Sequence, residues 1–318
     1  MQEGFSEDAA DLLMDKWRDG TKGSYEASWG KWASWARGWK INPFQATIAD
    51  VVNFLSDMHR EGKAYGTING YRSAISSLHP SIGKQSIGEN KDVCAVMAGI
   101  FKRNPPKPKY SEFWDVQTVL TYVKAMGTND RLLVRDLGMK LAMLIALVTA
   151  GRSSDLALLD TSLMVRKGDD FVFFIQGLSK TRRVGQPPPK VDIIKFEEDL
   201  ELDPVACLNE YLTRTKNLRP KEGNRLFLSS VTPFKPVQSS TIAGWLKTIL
   251  GRAGIDSSVW SAHSVRGAST SKAVNSGVSI QTILETACWK GVGTFQKFYQ
   301  KPIMVANPKR EFTNAVLK

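Results

Sequence analysis

Residues 263–302 read HSVRGASTSKAVNSGVSIQTILETACWKGVGTFQKFYQKP, and this stretch contains the candidate functional residues His263, Arg266 and Tyr299. His263 and Arg266 are three residues apart, about one helical turn, so both side chains project from one face of the helix that starts there. A guanidinium binds a phosphate in a bidentate manner, and an imidazole adds a further donor. Near the end of the stretch, Tyr299 lies among basic and aromatic neighbours. A phenol is a poor nucleophile at neutral pH unless nearby cations stabilise its charge. The stretch therefore predicts a site that holds a phosphodiester and attacks it with Tyr299.

Length and charge indicate the number of domains and the kind of partner. With 318 residues, of which 42% are hydrophobic, the chain exceeds what one core usually supports, so two domains are expected. Its net charge is +12, and the excess is uneven: residues 1–103 hold 13 Lys/Arg against 12 Asp/Glu, whereas the remainder holds 30 against 19. A basic surface favours a polyanionic partner, most simply nucleic acid, over a basic protein without one.

Cysteine usage and hydropathy exclude several classes of protein. The three cysteines are far apart and form no CxxC pair, which argues against a disulfide framework and against zinc. The longest apolar run, LAMLIALVTA at 141–150, is too short to span a bilayer. No charged and apolar leader is visible, so we expect an intracellular protein in a reducing compartment, with no membrane partner.

The N-terminal part predicts an all-helical domain over residues 1–103. Amphipathic patterns indicate helices at 6–18, 22–39, 47–62, 66–78 and about 89–102. Tryptophans 29, 32, 35 and 39 recur at helical spacing, which is more typical of a buried face than of a platform for stacking bases. Lys63, Thr67 and Arg72 are candidates for phosphate contacts, although each is equally well explained as a solvated surface residue.

Residues 104–114 are predicted to be a linker. The surrounding sequence KRNPPKPKYSEFW (102–114) holds three prolines and four basic residues, and such dense proline favours a stiff, extended connector. Lys107 and Lys109 are candidates for DNA contacts there.

The remainder, 115–318, is predicted to be an α+β domain, so the fold class is mainly α with a small antiparallel β-sheet. Helices are expected at 115–126, 130–149, 204–217, 239–253, 264–276, 279–286 and about 291–299, and strands at 162–168, 171–177 and 190–196. The strongly apolar helix at 130–149 is expected to be central.

Two further basic groups are candidates for the site. Arg152 follows that apolar helix at a glycine turn, and Asp155 is placed to hold it by a salt bridge. Lys180 lies in GLSKTRR, after a predicted strand, where an exposed hairpin tip would let it reach a phosphate. On spacing alone, an ordinary surface lysine in a basic run is the better explanation of Lys180. Arg182 and Arg183 beside it are candidates for DNA contacts.

Four segments together resemble the catalytic motifs of the tyrosine recombinases, the phage-integrase family. They are TAGRSSDLALL, LSKT, HSVRG and ACWKGVGTFQKFYQ, which present Arg, Lys, His-x-x-Arg, Trp and Tyr in the family's order. The segment TINGYRSAISSLHP is similar to the helical core-binding domain that grips DNA from the opposite side. The choices around Arg266 are similar to those of DIRS-like and crypton-like mobile elements of eukaryotes.

The resemblance implies a role for each position. Arg152 and Arg266 would bind the scissile phosphate, His263 would donate to it or take the tyrosine proton, and Lys180 would protonate the leaving 5′-hydroxyl. Trp289, where many members have His, would pack against the nucleophile, Tyr299, which would form a covalent 3′-phosphotyrosine. The reaction would need no metal, cofactor or ATP, and no GxxxxGK[ST] loop is present.

The resemblance also implies partners. These are double-stranded DNA and other copies of the chain, as a homodimer on one site and a homotetramer in synapsis. A mobile-element enzyme of a eukaryote would be nuclear, and otherwise cytoplasmic. The tail at 302–318 would be exchanged with a neighbouring subunit or fold onto its own domain.

The sequence departs from the family's pattern in two places. Tyr299 lies ten positions after Trp289, one more than is common in the family. Gly267 stands where many relatives have another His.

Other functions stay open at this point. They are a non-catalytic DNA-binding protein derived from a recombinase, and a type IB topoisomerase, which shares the chemistry. A cysteine hydrolase would use Cys288 with His263. A metal-dependent nuclease would use acids such as Asp155, Asp160 and Asp203.

Overall fold

A computed structural model describes residues 6, 8, 12, 15–80, 85–176, 185, 188–219, 223–303 and 316–317. The chain divides into two compact units, Met1–Pro108 and Lys109–Lys318. No helix among the described residues is long and apolar enough to cross a membrane.

The first unit is a bundle of helices. These are α1 (Asp19–Gly38), α2 (Ile48–Arg60), α3 (Tyr65–Leu78) and α4 (Lys91–Arg103), with a short 3-10 turn at Ile87–Glu89. Helix α2 begins at a capping box, in which the Thr47 hydroxyl accepts from the Asp50 amide and the Asp50 carboxylate accepts from the Thr47 amide. Its buried residues recur at helical spacing, as an amphipathic helix requires.

The tryptophans of α1 divide between core and surface. Trp32 is fully buried and stacks on Trp35, whose indole N–H donates to the Asp57 carboxylate at 2.9 Å. The core interpretation of the stripe is therefore confirmed for Trp32, whereas Trp39 is 66% exposed. The stripe drifts off the buried face because Trp39 lies at the C-cap of the helix, where the core ends.

The predicted linker ends earlier than expected. Residues Phe113 and Trp114, placed in it from the sequence, are both 1% exposed and belong to the core of the second unit. The second unit already begins at Lys109, because large aromatic side chains such as these are stabilised by burial in its core.

The second unit is mainly helical with one small sheet. Its helices are α5 (Val116–Ala125), α6 (Val134–Thr149), α7 (Ser153–Leu156), α8 (Pro204–Thr215), α9 (Ser239–Arg252), α10 (Ser264–Asn275), α11 (Ile280–Thr286) and α12 (Val292–Phe298). Helix α6 is buried along most of its length, which confirms its central place, and α8, α9 and α10 pack around it. It begins at Val134 and not at 130, because Asn129–Arg131 forms a separate 3-10 turn.

The sheet is antiparallel, as predicted, with the order β1 (Met164–Lys167), β2 (Asp170–Phe174), β3 (Lys190–Ile193). Strands β1 and β2 meet at a two-residue turn in which Gly168 has a φ of +65°, a conformation that favours glycine. The second and third strands are shorter than the predicted 171–177 and 190–196. Residues 177–184 between them, including Lys180, lie outside the described part.

Candidate active site

Five of the six predicted catalytic residues lie in one cluster of the second unit. Short contacts join His263, Arg266, Trp289 and Tyr299, and Arg152 is near enough to Arg266 for its charge to lower the pKa of that guanidinium. The sixth, Lys180, lies outside the described residues, as do Arg182 and Arg183.

The candidate nucleophile, Tyr299, is hydrogen-bonded to His263. The Tyr299 hydroxyl lies 2.8 Å from Nε2 of His263, and the two rings meet edge to face. Tyr299 is partly exposed at the C-cap of α12, and His263 is exposed at the N-cap of α10. A neutral imidazole whose Nε2 accepts this bond is placed to take the phenol proton.

Arg266 is buried and held by main-chain carbonyls. Its side chain is 2% exposed; Nη1 donates to the Ala150 carbonyl at 2.5 Å and Nη2 donates to the Ala287 carbonyl. These carbonyls lie at the C-terminal ends of α6 and α11, where the helix dipoles favour a cation. Of the five guanidinium N–H groups, three are left, and Nε is buried without a partner in the described part of the chain.

Burial and charge act in opposite directions on Arg266. Desolvation and the nearby Arg152 lower its pKa to about 10, while Tyr299 and Asp155 act to raise it. A pKa of about 10 still leaves the guanidinium protonated at neutral pH. Bringing a phosphate anion to the two arginines would relieve their repulsion, so the site favours an anion between them.

Arg152 is fixed at a tight turn. Ala150 has a left-handed backbone with a φ of +46°, and a β-carbon on Gly151 would meet Leu156 at 2.6 Å, which confirms the glycine turn. The predicted salt bridge is present, because Nη1 of Arg152 lies 3.3 Å from Oδ2 of Asp155. Both side chains are largely buried.

Trp289 bridges the arginine and the tyrosine. Its ring centroid lies 4.4 Å from Cζ of Arg266 and 4.5 Å from the ring centroid of Tyr299. A cation over an indole face is attracted by the ring quadrupole. The indole therefore packs between the Tyr299 ring and the buried guanidinium of Arg266.

The segment around Tyr299 is tied to α10 by contacts that the sequence did not reveal. The Ser271 hydroxyl donates to the Tyr299 carbonyl at 2.6 Å and accepts from the Lys301 amide at 3.3 Å. One residue after Lys301, the Pro302 carbonyl accepts a hydrogen bond from the Phe113 amide at 2.8 Å. The ring of Phe113 also occupies the space in which a β-carbon on Gly267 would lie. Gly267, a departure from the family's pattern, was the one sequence signal of this close approach.

The start of α10 has its own support. The indole N–H of Trp114 donates to the Ser264 hydroxyl at 2.9 Å, and the Tyr110 hydroxyl bonds to Ser261 at 3.0 Å. These bonds fix the turn from which His263 projects.

The geometry disfavours two of the alternative chemistries. Desolvation raises the pKa of the Cys288 thiol, which opposes a nucleophilic thiolate, and His263 is bonded to Tyr299 instead. Asp155 pairs with Arg152, while Asp160 and Asp203 accept main-chain N–H bonds as caps. Among the described residues, no group of His, Cys, Asp and Glu could hold a metal ion.

The candidates for DNA contacts between residues 63 and 109 differ in their exposure. Lys63 and Arg72 are half-buried, and Thr67 is exposed in the first turn of α3. Lys107 and Lys109 are exposed, and the Lys109 amine donates to the Ser261 hydroxyl at 3.3 Å, within the second unit.

Comparison with known proteins finds similar folds among solved structures and no match in sequence. No protein-family model matches the chain, and no curated protein sequence matches it. Among solved structures it is similar to the Tn1549 transposon integrase in complex with transposon right end DNA, with a TM-score of 0.56, 14% identity, and 86% of each chain covered. It is also similar to a lambda integrase dimer bound to a COC′ core site, with a TM-score of 0.55 and 16% identity over 92% of this chain and 94% of that one.

A third similar structure is the XerH site-specific recombinase bound to difH substrate, with a TM-score of 0.54 and 14% identity over 86% of this chain and 71% of that one. These neighbours are tyrosine recombinases and integrases. The mainly helical chain with its three-stranded antiparallel sheet therefore has the fold of the tyrosine-recombinase catalytic domain.

Proposed function

We propose that the chain is a site-specific DNA recombinase that cuts and rejoins DNA strands through a covalent 3′-phosphotyrosine on Tyr299. The observation that carries the proposal is the 2.8 Å bond between the Tyr299 hydroxyl and His263, formed beside two arginines. A phenol, a base for its proton and two cations for a phosphate are what the attack on a phosphodiester needs.

The arginines would hold the scissile phosphate. A guanidinium is planar and permanently charged, and it stabilises the charge that spreads over the equatorial phosphate oxygens in the transition state. Arg266 is held rigidly by two carbonyls, so its remaining donors are already oriented before DNA binds. Arg152 is oriented by Asp155 in the same way.

The chemical step then follows from the contacts. The Tyr299 oxygen forms a bond to phosphorus while the bond from phosphorus to the 5′-oxygen breaks. The phenol proton passes to Nε2 of His263, and the departing 5′-oxygen takes a proton from Lys180, the role that the resemblance assigns to that residue. The phosphodiester is kept as an ester of Tyr299, so a 5′-hydroxyl of another strand reverses the step without ATP or a metal.

The partners that we propose follow from the neighbours and the charge. The similar structures include integrases and recombinases bound to DNA, one as a dimer. For this chain we propose double-stranded DNA as substrate, a homodimer on one site and a homotetramer in synapsis, with residues 1–103 as the DNA-gripping domain. Integration of a mobile element, of the DIRS-like or crypton-like type and hence nuclear, is the biological role that the sequence resemblance supports.

A trapping experiment tests the proposal. Duplexes that the protein retains from a random-sequence pool are rebuilt with a nick a few nucleotides 3′ of each phosphate in turn, so that the short cleaved fragment diffuses away. The wild type should accumulate a covalent protein–DNA product that survives denaturation, and Tyr299→Phe should form none. The Tyr25→Phe variant, altered in α1, is the matched control and should behave as the wild type.

The same experiment separates the other functions. Salt-dependent binding with no covalent product in the wild type would indicate a non-catalytic DNA-binding protein. Relaxation of supercoiled plasmid by a monomer without a preferred sequence would indicate a type IB topoisomerase. Lys180→Ala should lose cleavage of ordinary DNA but regain it on DNA with sulfur in place of the leaving 5′-oxygen, because a thiolate leaves without a proton.

A further inference from the structure

A depression in the surface lies beside the cluster around Tyr299. It has a volume of about 400 Å³, and Arg152 and His263 form part of its wall. The opposite wall comes from α9, through Ala243, Gly244 and Lys247. Lys247 is exposed, and no sequence motif singles it out.

The charge of this depression suits a polyanion. The described residues that line it include Arg152, Lys247 and His263 and no carboxylate. A larger cavity of about 780 Å³ has Arg266 and Lys190 in its wall, but also three carboxylates, those of Asp155, Asp192 and Glu285. Phosphates of DNA are repelled by carboxylates, so the smaller depression is the better site for a DNA backbone, although the larger one has more room.

The empty space beside Gly244 also favours a DNA backbone in the smaller depression. A β-carbon built on Gly244 would meet no atom within 4 Å, so packing within the protein does not require a glycine there. Glycine in the interior of a helix is unfavourable relative to alanine. Gly244 lies one helical turn before Lys247, on the side of α9 that faces the depression. A glycine in that position allows another backbone to approach closely.

We propose that Lys247 and the surface over Gly244 form a second phosphate subsite, which binds a non-scissile phosphate next to the scissile one on the cleaved strand. The inference rests on the proposed function, in which Arg152 and His263 contact the scissile phosphate, and both of these residues line the depression. Consecutive phosphates of one strand are about 3.4 Å apart along the DNA axis. Lys247 supplies a point charge for the second phosphate, while Arg152 contributes to both.

The subsite is a specificity and positioning element of the reaction. Two neighbouring phosphates held together fix the direction of the strand as well as its position, which one phosphate cannot do. The Tyr299 hydroxyl then meets phosphorus from the side opposite the leaving oxygen.

Binding is measured in the Tyr299→Phe background, so that cleavage does not interfere, with Lys247→Gln, Gly244→Ala, and Lys216→Gln as the control. Lys216 is an exposed lysine of the same unit outside the depression. Lys247→Gln should weaken DNA binding and reduce the slope of log K against log salt by about 0.9, the contribution of one phosphate contact. Gly244→Ala should weaken binding while leaving the melting temperature unchanged or higher. Lys216→Gln should keep the slope of the background protein.

A neutral linkage in the DNA locates the phosphate. A methylphosphonate placed at one of the two neighbours of the scissile phosphate should weaken binding of the background protein by the same factor as Lys247→Gln, and should have no further effect on Lys247→Gln. Equal and additive effects in both proteins, or an unchanged salt slope, would overturn the subsite. A wild type that still forms the Tyr299 adduct in that case keeps the proposed function, whereas a wild type that forms none contradicts the function itself.

Discussion

The hydroxyl of Ser271 donates to the main-chain carbonyl of Tyr299 at 2.6 Å, although the two residues are 28 positions apart. Ser271 is 1% exposed in α10, the helix at whose start His263 and Arg266 lie. One buried hydroxyl therefore joins the backbone of the proposed nucleophile, Tyr299, to the helix that carries its proposed base and phosphate ligand.

Ser271→Ala should slow adduct formation without weakening DNA binding. Loss of a hydrogen bond of this kind costs about 1 kcal/mol, and freedom of the Tyr299 backbone should then lower the single-turnover rate by about fivefold. The Ser269→Ala variant is the control, because its hydroxyl bonds only within α10, to the Arg266 carbonyl at 3.2 Å. Equal rates for Ser271→Ala and wild type would show that the bond does not position Tyr299.

Gly267→Ala should destabilise the second unit. The added methyl group would overlap the ring of Phe113, which is 1% exposed and packed in the core of the second unit. Overpacking of this kind destabilises by about 1–3 kcal/mol, measurable as a lower midpoint of urea unfolding. The double variant Gly267→Ala with Phe113→Leu should recover part of the loss. An unchanged midpoint in the single variant would contradict the close packing of these two residues.

The two segments that carry Arg152 and Arg266, and the fold class, were predictable from the sequence, because helical periodicity and the order of the motifs do not depend on distant contacts. The contact of Phe113 with Gly267 was not, since nothing in the proline-rich stretch shows that its last aromatic residues return to the helix after His263. The carbonyls of Ala150 and Ala287 that hold Arg266 were equally hidden, because every residue has a carbonyl and only the fold selects which ones converge.

Trp289→Phe and Trp289→Ala should differ in their effect on cleavage. Phenylalanine keeps an aromatic face for both Arg266 and Tyr299, whereas alanine removes two ring contacts, each worth about 0.5–1.5 kcal/mol. We expect a small loss for the first and a loss of about ten- to a hundredfold in adduct formation for the second. Similar rates in both variants would show that the indole N–H, and not the packing, is what matters.

Cleavage should occur within one chain. The Tyr299 hydroxyl, His263 and the arginines already meet inside a single subunit, so no second copy is needed to complete the cluster. A mixture of Tyr299→Phe with Arg152→Gln protein should therefore form no more adduct than either variant alone. Restoration of adduct by mixing would show that one subunit supplies Tyr299 to the phosphate held by another.

Mass spectrometry of the trapped product tests whether the oxygen of Tyr299 becomes bonded to DNA. After digestion of the adduct with nuclease and protease, the peptide that contains Tyr299 should carry a nucleotide through its 3′-phosphate, and all other tyrosine peptides should be unmodified. A nucleotide on any other residue, or an adduct that persists in Tyr299→Phe, would contradict the account.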